Sequence, residues 1–334
     1  MKLLVTGGAG FIGSNFLYYH AEKYPSDELV CVDALTYAGN LYTIEPLIKQ
    51  KKVVFYKADV TNREEIERIF REEKPDIVVH FAAESHVDRA ITDPGTFVKT
   101  NVVGTQVMLD VCRCCGVKRF HQASTDEVYG ELPLVGGERF TERSPLRPSG
   151  PYSASKAAAD LLVLAYCKTY GLPVTISRCS NNYGPYQFPE KLIPLAITNA
   201  LNGKKIPIYG DGKNVRDWVY VTDHCEGIER ILRDGKEGKI YNIGGYFERD
   251  NLSVVHAIIS LVGRGETEFV PDRLGHDRRY SISSNRTSKE LGWEPKTNFE
   301  EGLQKTVQWY KNNASWTEKI FDGSYRNAYS ELFF

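Results

Sequence analysis

The sequence lacks an excess of charge of either sign and has no long hydrophobic run. Its 334 residues include 42 Lys and Arg against 43 Asp and Glu, a formal net charge of -1. This balance argues against a general nucleic-acid binder or a polybasic membrane binder. Its longer apolar stretches, such as LVCV at 29–32 and LLVLA at 161–165, fall far short of the roughly 20 residues of a membrane span. We therefore expect a cytoplasmic protein with neither nucleic-acid nor membrane partners.

The sequence also lacks the regularly paired cysteines of a disulfide framework. Its seven cysteines are an odd number spread through a long chain, so we expect them to be reduced. Cys112, Cys114 and Cys115 form one compact cluster without a second paired set or a nearby histidine pair. Such a cluster is more typical of small apolar residues near a helix end than of zinc ligands. We predict no metal site.

Short strand-like runs alternate with helix-length segments through the first half of the chain. Helix boundaries are marked, for example by Thr61 or Asn62 before Glu64 and Glu65, and by Lys74 before Pro75. Because parallel strands need crossovers that are usually helical, the alternation predicts a parallel sheet with helices on both faces. The strand-like runs lie at 2–6, 29–34, 53–60, 76–82, 119–124 and 173–179, and the helix-like segments at 11–24, 62–74, 96–115 and 152–170.

The amino-acid composition of the sequence changes near residue 180. From about 181 the chain becomes richer in Pro, Gly and Asn, which is typical of a smaller domain whose loops form a pocket. We predict an α/β protein with a Rossmann-type, doubly wound parallel sheet in residues 1–180. A smaller α/β substrate-binding domain is expected in residues 181–334. No clean linker separates the two, so residues of about 215–245 are candidates to return to the first domain.

A glycine-rich turn follows the first strand. Gly7, Gly10 and Gly13 are spaced three apart at the entrance to a helix, where they permit a tight turn and let the helix amino terminus approach a pyrophosphate. Alone, the glycines could form a turn that binds nothing. Asp33 at the end of the second strand lies 20 residues beyond Gly13, where a ribose-binding acid is expected. Because that carboxylate would repel a 2'-phosphate, NAD is favoured over NADP. Asp59 at the end of the third strand is placed to meet the adenine, and a helix-capping aspartate is the alternative interpretation of this residue.

Tyr152 and Lys156 are the first candidate catalytic pair. A spacing of four residues at the start of an alanine-rich helix places both on one helical face. A nearby ammonium would lower the pKa of the tyrosine and give a base for a hydroxyl proton during hydride transfer. On its own, a Tyr and a Lys with this spacing usually lie on a solvent-exposed face of a helix. Its position after the glycine turn and the fifth strand favours catalysis.

With these residues the chain resembles the extended, nucleotide-sugar-modifying branch of the short-chain dehydrogenase superfamily. In that branch a Ser or Thr after the fifth strand partners the Tyr and Lys, and Thr125 fills that place. Asp126 and Glu127 add two carboxyl groups beside the redox centre. Elimination of water across C5 and C6 of a 4-ketohexose needs such a pair, a base for the C5 proton and an acid for the departing hydroxyl. Solvated turn acids are the alternative interpretation of an isolated Asp-Glu pair.

From residue 3 to about 310 the sequence is similar to the dTDP-glucose 4,6-dehydratase family. The resemblance implies an NAD-dependent lyase acting on dTDP-D-glucose, with Asp126 as the acid and Glu127 as the base. Tyr152 would deprotonate the C4 hydroxyl, while Lys156 would tune that tyrosine and Thr125 would bind the C4 oxygen. The most specific stretches are VDALTYAGNL, FAAESHVDRAI, STDEVYG, PYSASKAAAD, NNYGPYQFPEKLIP, IPIYGDGKNVRDWVYV and RLGHDRRY.

The same resemblance assigns residues to the two ligands. NAD, expected to be tightly held and regenerated in each turnover, would contact Gly7, Gly10, Phe11, Ile12, Gly13, Asp33, Ala34, Leu35, Thr36, Asp59, Val60, Phe81, Ala82, Ala83, Ser85, Thr100, Tyr152, Lys156 and Asn182. The nucleotide sugar would contact Ser85, Thr125, Asn181, Lys191, Leu192, Pro207, Ile208, Tyr209, Arg216, Asn251, Asp272, Arg273, Leu274, Gly275 and His276.

Two other interpretations remain open. The same chemistry on UDP-glucose or another NDP-hexose, or a 4-epimerisation, would use much of this machinery. A catalytically silent NAD-binding module would have no reason to retain all five catalytic candidates. The resemblance also implies a homodimer built on segments 96–115 and 152–170, although buried core is an equal alternative interpretation of their apolar faces. It further implies a product used for deoxysugars such as rhamnose.

Overall fold

A seven-stranded, all-parallel sheet lies at the centre of the larger region. The computed structural model describes residues 1–333, and all bounds below refer to these residues. The strands are β1 (Lys2–Thr6), β2 (Glu28–Asp33), β3 (Val53–Lys57), β4 (Ile77–His80), β5 (Arg119–Thr125), β6 (Val174–Cys179), β7 (Asn181–Tyr183), β8 (Ile206–Tyr209), β9 (Val215–Tyr220), β10 (Lys239–Ile243), β11 (Glu248–Asp250) and β12 (Thr267–Val270). The large sheet has the order β10-β6-β5-β4-β1-β2-β3.

Helices cover both faces of this sheet. They are α1 (Phe11–Lys23), α2 (Glu45–Lys49), α3 (Arg63–Glu73), α4 (Val87–Thr92), α5 (Pro94–Phe97), α6 (Thr105–Cys114), α7 (Pro151–Tyr170), α8 (Leu192–Leu201), α9 (Val221–Asp234), α10 (Asn251–Val262), α11 (Asn285–Leu291), α12 (Phe299–Asn312), α13 (Ala314–Phe321) and α14 (Ala328–Phe333). None of the helices within residues 1–333 combines the length and the apolar character of a membrane span.

The pleat of the strands divides the core between the two faces. In β1, Leu3 and Val5 join the cluster beneath α1 and α9, while Leu4 joins the cluster beneath α3, α6 and α7. This follows from the two-residue period of a strand, which sends successive side chains to opposite faces. All three side chains are fully buried, as expected for a parallel strand covered on both sides. The structure thus confirms the predicted doubly wound α/β fold.

A smaller region packs around β7, β9 and β11 and the pair β8 and β12. Its core lies between these strands and helices α8, α10 and α12. The chain crosses between the regions more than once. The helix α9 packs on α1, and β10 completes the large sheet. The placement of NAD in one region and the nucleotide sugar in the other stays a prediction.

The predicted helix at 96–115 is not a uniform α-helix. Residues Val98–Gly104 form π-helical turns between α5 and α6. Their widened path places the buried Asn101, whose Oδ1 accepts from the amide of Glu84 at 2.8 Å. Its Nδ2 donates to the carbonyl of Glu84 at 3.0 Å and to Ser155 Oγ at 2.8 Å. The irregular turns therefore fasten the loop after β4 to helix α7.

Candidate active site

One cavity opens at the carboxyl ends of β1, β2, β3, β4, β5 and β6. This is where ligands bind in open α/β sheets. The loops that follow these strands form its walls, so much of the lining consists of residues that come directly after a strand in the sequence. The cavity runs from the glycine turn after β1 to the first turns of α7.

The glycine turn packs so closely against neighbouring backbone that Gly7 and Gly13 cannot carry side chains. Gly7 has φ +69, and a Cβ there would lie 2.7 Å from the amide nitrogen of Ala82. A Cβ on Gly13 would lie 2.3 Å from the carbonyl oxygen of Gly7. The turn leads directly into α1, whose first amides have no intrahelical acceptor. This cradle fits a dinucleotide pyrophosphate.

Substituting Gly13 with Ala should weaken both the fold and NAD binding. Because the new methyl group would overlap the Gly7 carbonyl, the turn must shift, at a cost of about 1–3 kcal/mol. Thermal unfolding and NAD titration measure the two effects. Gly137→Ala is the matched control, since a Cβ there meets nothing within 4 Å. Equal NAD affinity in Gly13→Ala and the parent protein would contradict the binding of the NAD pyrophosphate at this glycine turn.

Asp33 and Asp59 lie at the end of the cavity formed by β2 and β3. Asp33 accepts from the amides of Ala9 at 3.0 Å and Leu35 at 2.8 Å. Burial raises the pKa of Asp33, and these two amides oppose that shift. Leu35 has φ 53 in the left-handed region, so the loop after β2 is tightly constrained. Asp59 lines the cavity and also accepts from Thr61 N at 2.8 Å.

The catalytic candidates meet where β5 ends and α7 begins. Thr125 is the last residue of β5, and its Oγ1 accepts from the amide of Glu127 at 3.3 Å. The same hydroxyl donates to Asp126 Oδ1 at 3.3 Å. Lys156 Nζ donates to the carbonyl of Ala123 at 2.7 Å. Together with Tyr152, these residues line one end of the cavity.

A buried ion pair fixes α7 against the sheet. Arg178 in β6 donates to Asp160 in α7 at 2.8 Å, and both side chains are buried. The charge of Asp160 also favours the charged form of Lys156, whose pKa burial lowers. The pair therefore positions the helix that carries Tyr152 and Lys156.

The two adjacent carboxyl groups lie in different surroundings. Asp126 is buried, and its pKa is well above the usual range because of burial and the nearby charges of Glu127 and Asp217. Burial also raises the pKa of Glu127, but Arg273, Lys191 and Arg216 oppose that shift. The three cations thus favour the ionised form of Glu127, whereas burial and the two negative neighbours favour the protonated form of Asp126.

The pKa of Tyr152 is raised, which is opposite to the lowering expected from Lys156. Burial is the largest cause, followed by the charges of Glu127, Cys179 and Asp126. Sequence spacing could not reveal this, because the carboxyl groups come from another element. The phenol is therefore protonated in the free protein.

Three cations surround the outer side of Glu127. Lys191 Nζ donates to the carbonyl of Ser85 at 2.8 Å, and Arg216 Nη2 donates to the carbonyl of Asp277 at 2.9 Å. Arg273 forms an ion pair with Asp88 at 3.5 Å. All three lower the pKa of Glu127, so they lie within electrostatic reach of it. Such a group suits the two negative phosphates of a nucleoside diphosphate.

Comparison with known proteins agrees with this geometry. The family model of GDP-mannose 4,6 dehydratase matches residues 4–306. The dTDP-glucose 4,6-dehydratase of Salmonella typhimurium is 48% identical, covering 98% of this chain and 97% of that protein. The chain belongs to the dTDP-glucose 4,6-dehydratase family. The resemblance seen in the motifs is thereby confirmed.

Solved structures of the family share the architecture. The dTDP-glucose 4,6-dehydratase of Bacillus anthracis in complex with NAD is 49% identical with a TM-score of 0.89, covering 96% of this chain and 99% of that one. The Streptomyces venezuelae enzyme, with NAD and dTDP bound, is 47% identical with a TM-score of 0.92, covering 96% and 100%. The likeness extends over both regions of the chain.

The cavity brings together most of the residues that the family resemblance implied. Of the expected NAD contacts, all but Leu35 line it. Of the expected sugar-nucleotide contacts, Ser85, Thr125, Asn181 and Lys191 line it. The roles of these residues stay predictions.

The remaining expected substrate contacts do not line this cavity. They are Leu192, Pro207, Ile208, Tyr209, Arg216, Asn251, Asp272, Arg273, Leu274, Gly275 and His276. Several of them lie near one another. Gly210 follows Tyr209 in the chain, and a Cβ on Gly210 would lie 2.8 Å from Oδ2 of Asp272. Oδ1 of Asp272 in turn lies 2.6 Å from Nδ1 of His276. Ile208 is buried in the core of the smaller region, while Leu274 is 77% exposed.

Other lining residues were not predicted from the sequence. Most follow strand ends or belong to the loops already identified, so the rule for open sheets could have indicated them. His224 comes from α9 and lies in no motif, whereas Gln187 lies within the stretch NNYGPYQFPEKLIP quoted above. The unpredicted lining residues are Val32, Tyr37, Ala38, Gly39, Ala58, Glu84, Ala123, Ser124, Cys179, Ser180, Gln187, Phe188, Glu190 and His224.

All seven cysteines are free. Cys112 is buried, whereas Cys114 and Cys115 at the end of α6 are exposed. No group of three potential ligands among the residues that the structure describes could hold a metal ion.

Proposed function

We propose that the protein converts dTDP-D-glucose to dTDP-4-dehydro-6-deoxy-D-glucose with NAD as its cofactor. The observation that carries this proposal is the buried Asp126 beside an ionisable Glu127, both next to Thr125 and Tyr152. The related enzymes carry the same activity in their names. A redox site without an acid and base would suffice for 4-epimerisation, so this pair favours dehydration.

The residues present fit NAD. The glycine cradle can receive the pyrophosphate, and Asp33 at the end of β2 can bind a ribose hydroxyl. A negative Asp33 disfavours the additional phosphate of NADP. When bound, NAD would supply the hydride acceptor for C4 and the hydride donor for C6.

Tyr152 prepares the sugar for oxidation by accepting the proton of the C4 hydroxyl. This requires its phenolate, which the raised pKa of Tyr152 disfavours in the free protein. A protonated Asp126 removes one of the negative charges responsible. Lys156 lies one helical turn away on α7 as the nearby cation, and Thr125 Oγ1 is available to bind the C4 oxygen.

Glu127 and Asp126 then divide the elimination between them. The ionised Glu127 removes the C5 proton, which the C4 ketone has made acidic, and the protonated Asp126 gives its proton to the departing C6 hydroxyl. Water leaves and a C5–C6 double bond remains. Its reduction needs a hydride at C6 and a proton at C5, and Glu127, now protonated and able to exchange its proton with water, can supply the latter. The different surroundings of the two carboxyl groups support this division, because cations near Glu127 favour its ionised form while negative charges near Asp126 favour its protonated form.

A product assay tests this proposal. The protein should convert dTDP-glucose to a 4-keto-6-deoxysugar, detected by the ultraviolet absorbance that such sugars develop in alkali and by mass spectrometry as loss of water. UDP-glucose in a parallel assay tests the alternative substrate, because one methyl group distinguishes the bases at about 1–3 kcal/mol. An isomer of unchanged mass would instead show 4-epimerisation.

The pH dependence of kcat/KM should be bell-shaped. Glu127 must be ionised, so activity falls as pH drops below its pKa; Asp126 must be protonated, so activity falls as pH rises above its pKa. Both pKa values are raised by burial from 4.5 and 3.8. We expect the acid limb to lie above pH 4.5. An acid limb at or below that value would contradict the assignment to Glu127.

We also propose that the protein is a homodimer. Four apolar side chains of 98–114 and α7 are exposed, namely Val98, Val103, Leu161 and Tyr170. Leu161→Asp should shift sedimentation toward the monomer, because a charge would enter a desolvated contact. The equally apolar but separate Leu261→Asp is the control. An unchanged sedimentation coefficient in Leu161→Asp would contradict this interface.

Two further proposals concern the cellular location of the enzyme and the use of its product. We propose a cytoplasmic enzyme, in keeping with the near-neutral composition and the free cysteines. Its 4-keto product is activated for further change at the neighbouring carbons, which suits synthesis of deoxysugars such as rhamnose.

A further inference from the structure

Five residues that line the cavity have a buried side-chain polar atom without a partner within residues 1–333, namely Ser124, Asp126, Asn181, Gln187 and His224. Two of these atoms, Nε2 of His224 and Oε1 of Gln187, are acceptors whose side chains are both held by Asn182. His224 is 0% exposed and Gln187 is 7% exposed, yet both line the cavity. A buried acceptor without a donor is unfavourable, so such atoms indicate a missing partner.

The orientation of His224 is fixed by Asn182. The Nδ2 of Asn182 donates to the carbonyl of Ser180 at 3.0 Å, so its Oδ1 is the acceptor that faces His224 Nδ1 at 2.8 Å. Nδ1 therefore carries the hydrogen. Burial lowers the pKa of His224 to about 3, so the ring is neutral and its Nε2 presents a lone pair.

The orientation of Gln187 is fixed in the same way. Its Nε2 donates to the carbonyl of Asn182 at 2.9 Å, which leaves Oε1 as the open acceptor. Asn182 itself also bonds the side chain of Cys179. Its amide is thus engaged within the protein, and the open groups belong to His224 and Gln187.

This wall adjoins the catalytic end of the cavity. Cys179, at the end of β6, pairs in register with Thr125, and Asn182 follows three residues later in the chain. Asp33 lies at the end of β2, three strands away from β5 in the sheet. A nicotinamide ring that exchanges hydride with the sugar must lie near Thr125 and Tyr152, whereas the adenosine ribose belongs beside Asp33.

We infer that His224 and Gln187 bind the carboxamide NH₂ of the nicotinamide and thereby orient the ring. A primary amide offers two N–H donors, which matches two acceptors tied to one asparagine. The inference rests on the proposed NAD function and deepens it. It assigns binding residues beyond those that the family resemblance implied.

An exchange experiment with the purified protein tests the inference. The protein is incubated with equal concentrations of NAD and 3-acetylpyridine adenine dinucleotide, whose acetyl group has no N–H. After gel filtration the bound nucleotides are released and quantified. The parent protein should retain NAD in preference to the analogue, and His224→Phe should reduce that preference about threefold to tenfold.

Two further variants complete the test. His256→Phe, at an exposed site on α10, should keep the parent preference. Gln187→Met removes the other acceptor and should also reduce the preference, which provides a test if His224→Phe does not fold. An unchanged preference in either folded variant would overturn the inference. Failure of the parent protein to retain either nucleotide would instead overturn the proposed NAD function, and this inference with it.

Discussion

Glu127→Gln should reduce product formation by about 10²- to 10⁴-fold, the usual contribution of a general base. Glutamine keeps the size and polarity of the side chain but cannot take the C5 proton. Oxidation at C4 does not need this carboxylate, so the reaction should stop after the first step. Reduced nucleotide should therefore accumulate on the protein, visible by its ultraviolet absorbance and fluorescence after dTDP-glucose is added.

Glu64→Gln is the control for that experiment. Glu64 is exposed in the first turn of α3, away from the cavity, and its substitution should leave turnover and the nucleotide signal unchanged. Normal turnover in Glu127→Gln would rule out Glu127 as the base. Loss of turnover without reduced nucleotide would place Glu127 in the oxidation step instead.

Tyr152→Phe should cause a similar loss of about 10²- to 10⁴-fold, but at an earlier step. The phenylalanine retains the ring and its edge contact with Phe97, whose ring centroid is 6.3 Å away. Only the hydroxyl that receives the C4 proton is removed. Because oxidation cannot begin, rapid mixing with dTDP-glucose should show no reduced nucleotide.

Tyr170→Phe makes the same change in the same helix at a site that is 52% exposed. It should keep parent activity and thermal stability. If Tyr152→Phe forms reduced nucleotide at the parent rate, another group takes the C4 proton, and the account of the first step is wrong. The two catalytic variants thus separate oxidation from elimination.

Local sequence pattern was sufficient for the parts of the fold that depend on neighbouring residues. The alternation of short strands and helices predicted the parallel sheet, because each crossover is coded within one continuous stretch. Gly7, Gly10 and Gly13 predicted a turn that the structure shows to be sterically closed to side chains. The candidates at the end of β5 and the start of α7 were identified together because both motifs have fixed spacing.

Such patterns could not predict features that depend on contacts between residues far apart in the sequence. The π-helical turns at Val98–Gly104 serve contacts that Asn101 makes with Glu84 and Ser155. The raised pKa of Tyr152 results from burial and from carboxyl groups outside its own helix. His224 reaches the cavity wall from α9 and matches no motif, while Gln187 lies within the quoted stretch NNYGPYQFPEKLIP but was assigned no contact. In each case the deciding contact joins residues far apart in the sequence.

The fate of the hydrogen on C4 tests the central claim most directly. The protein is given dTDP-glucose that carries deuterium at C4, and the product is analysed by NMR spectroscopy. Dehydration with return of the hydride predicts deuterium at C6 and, in H₂O, a solvent-derived proton at C5. Deuterium found at C4 of a sugar of unchanged mass would contradict dehydration and would show that the protein only oxidises and re-reduces its substrate.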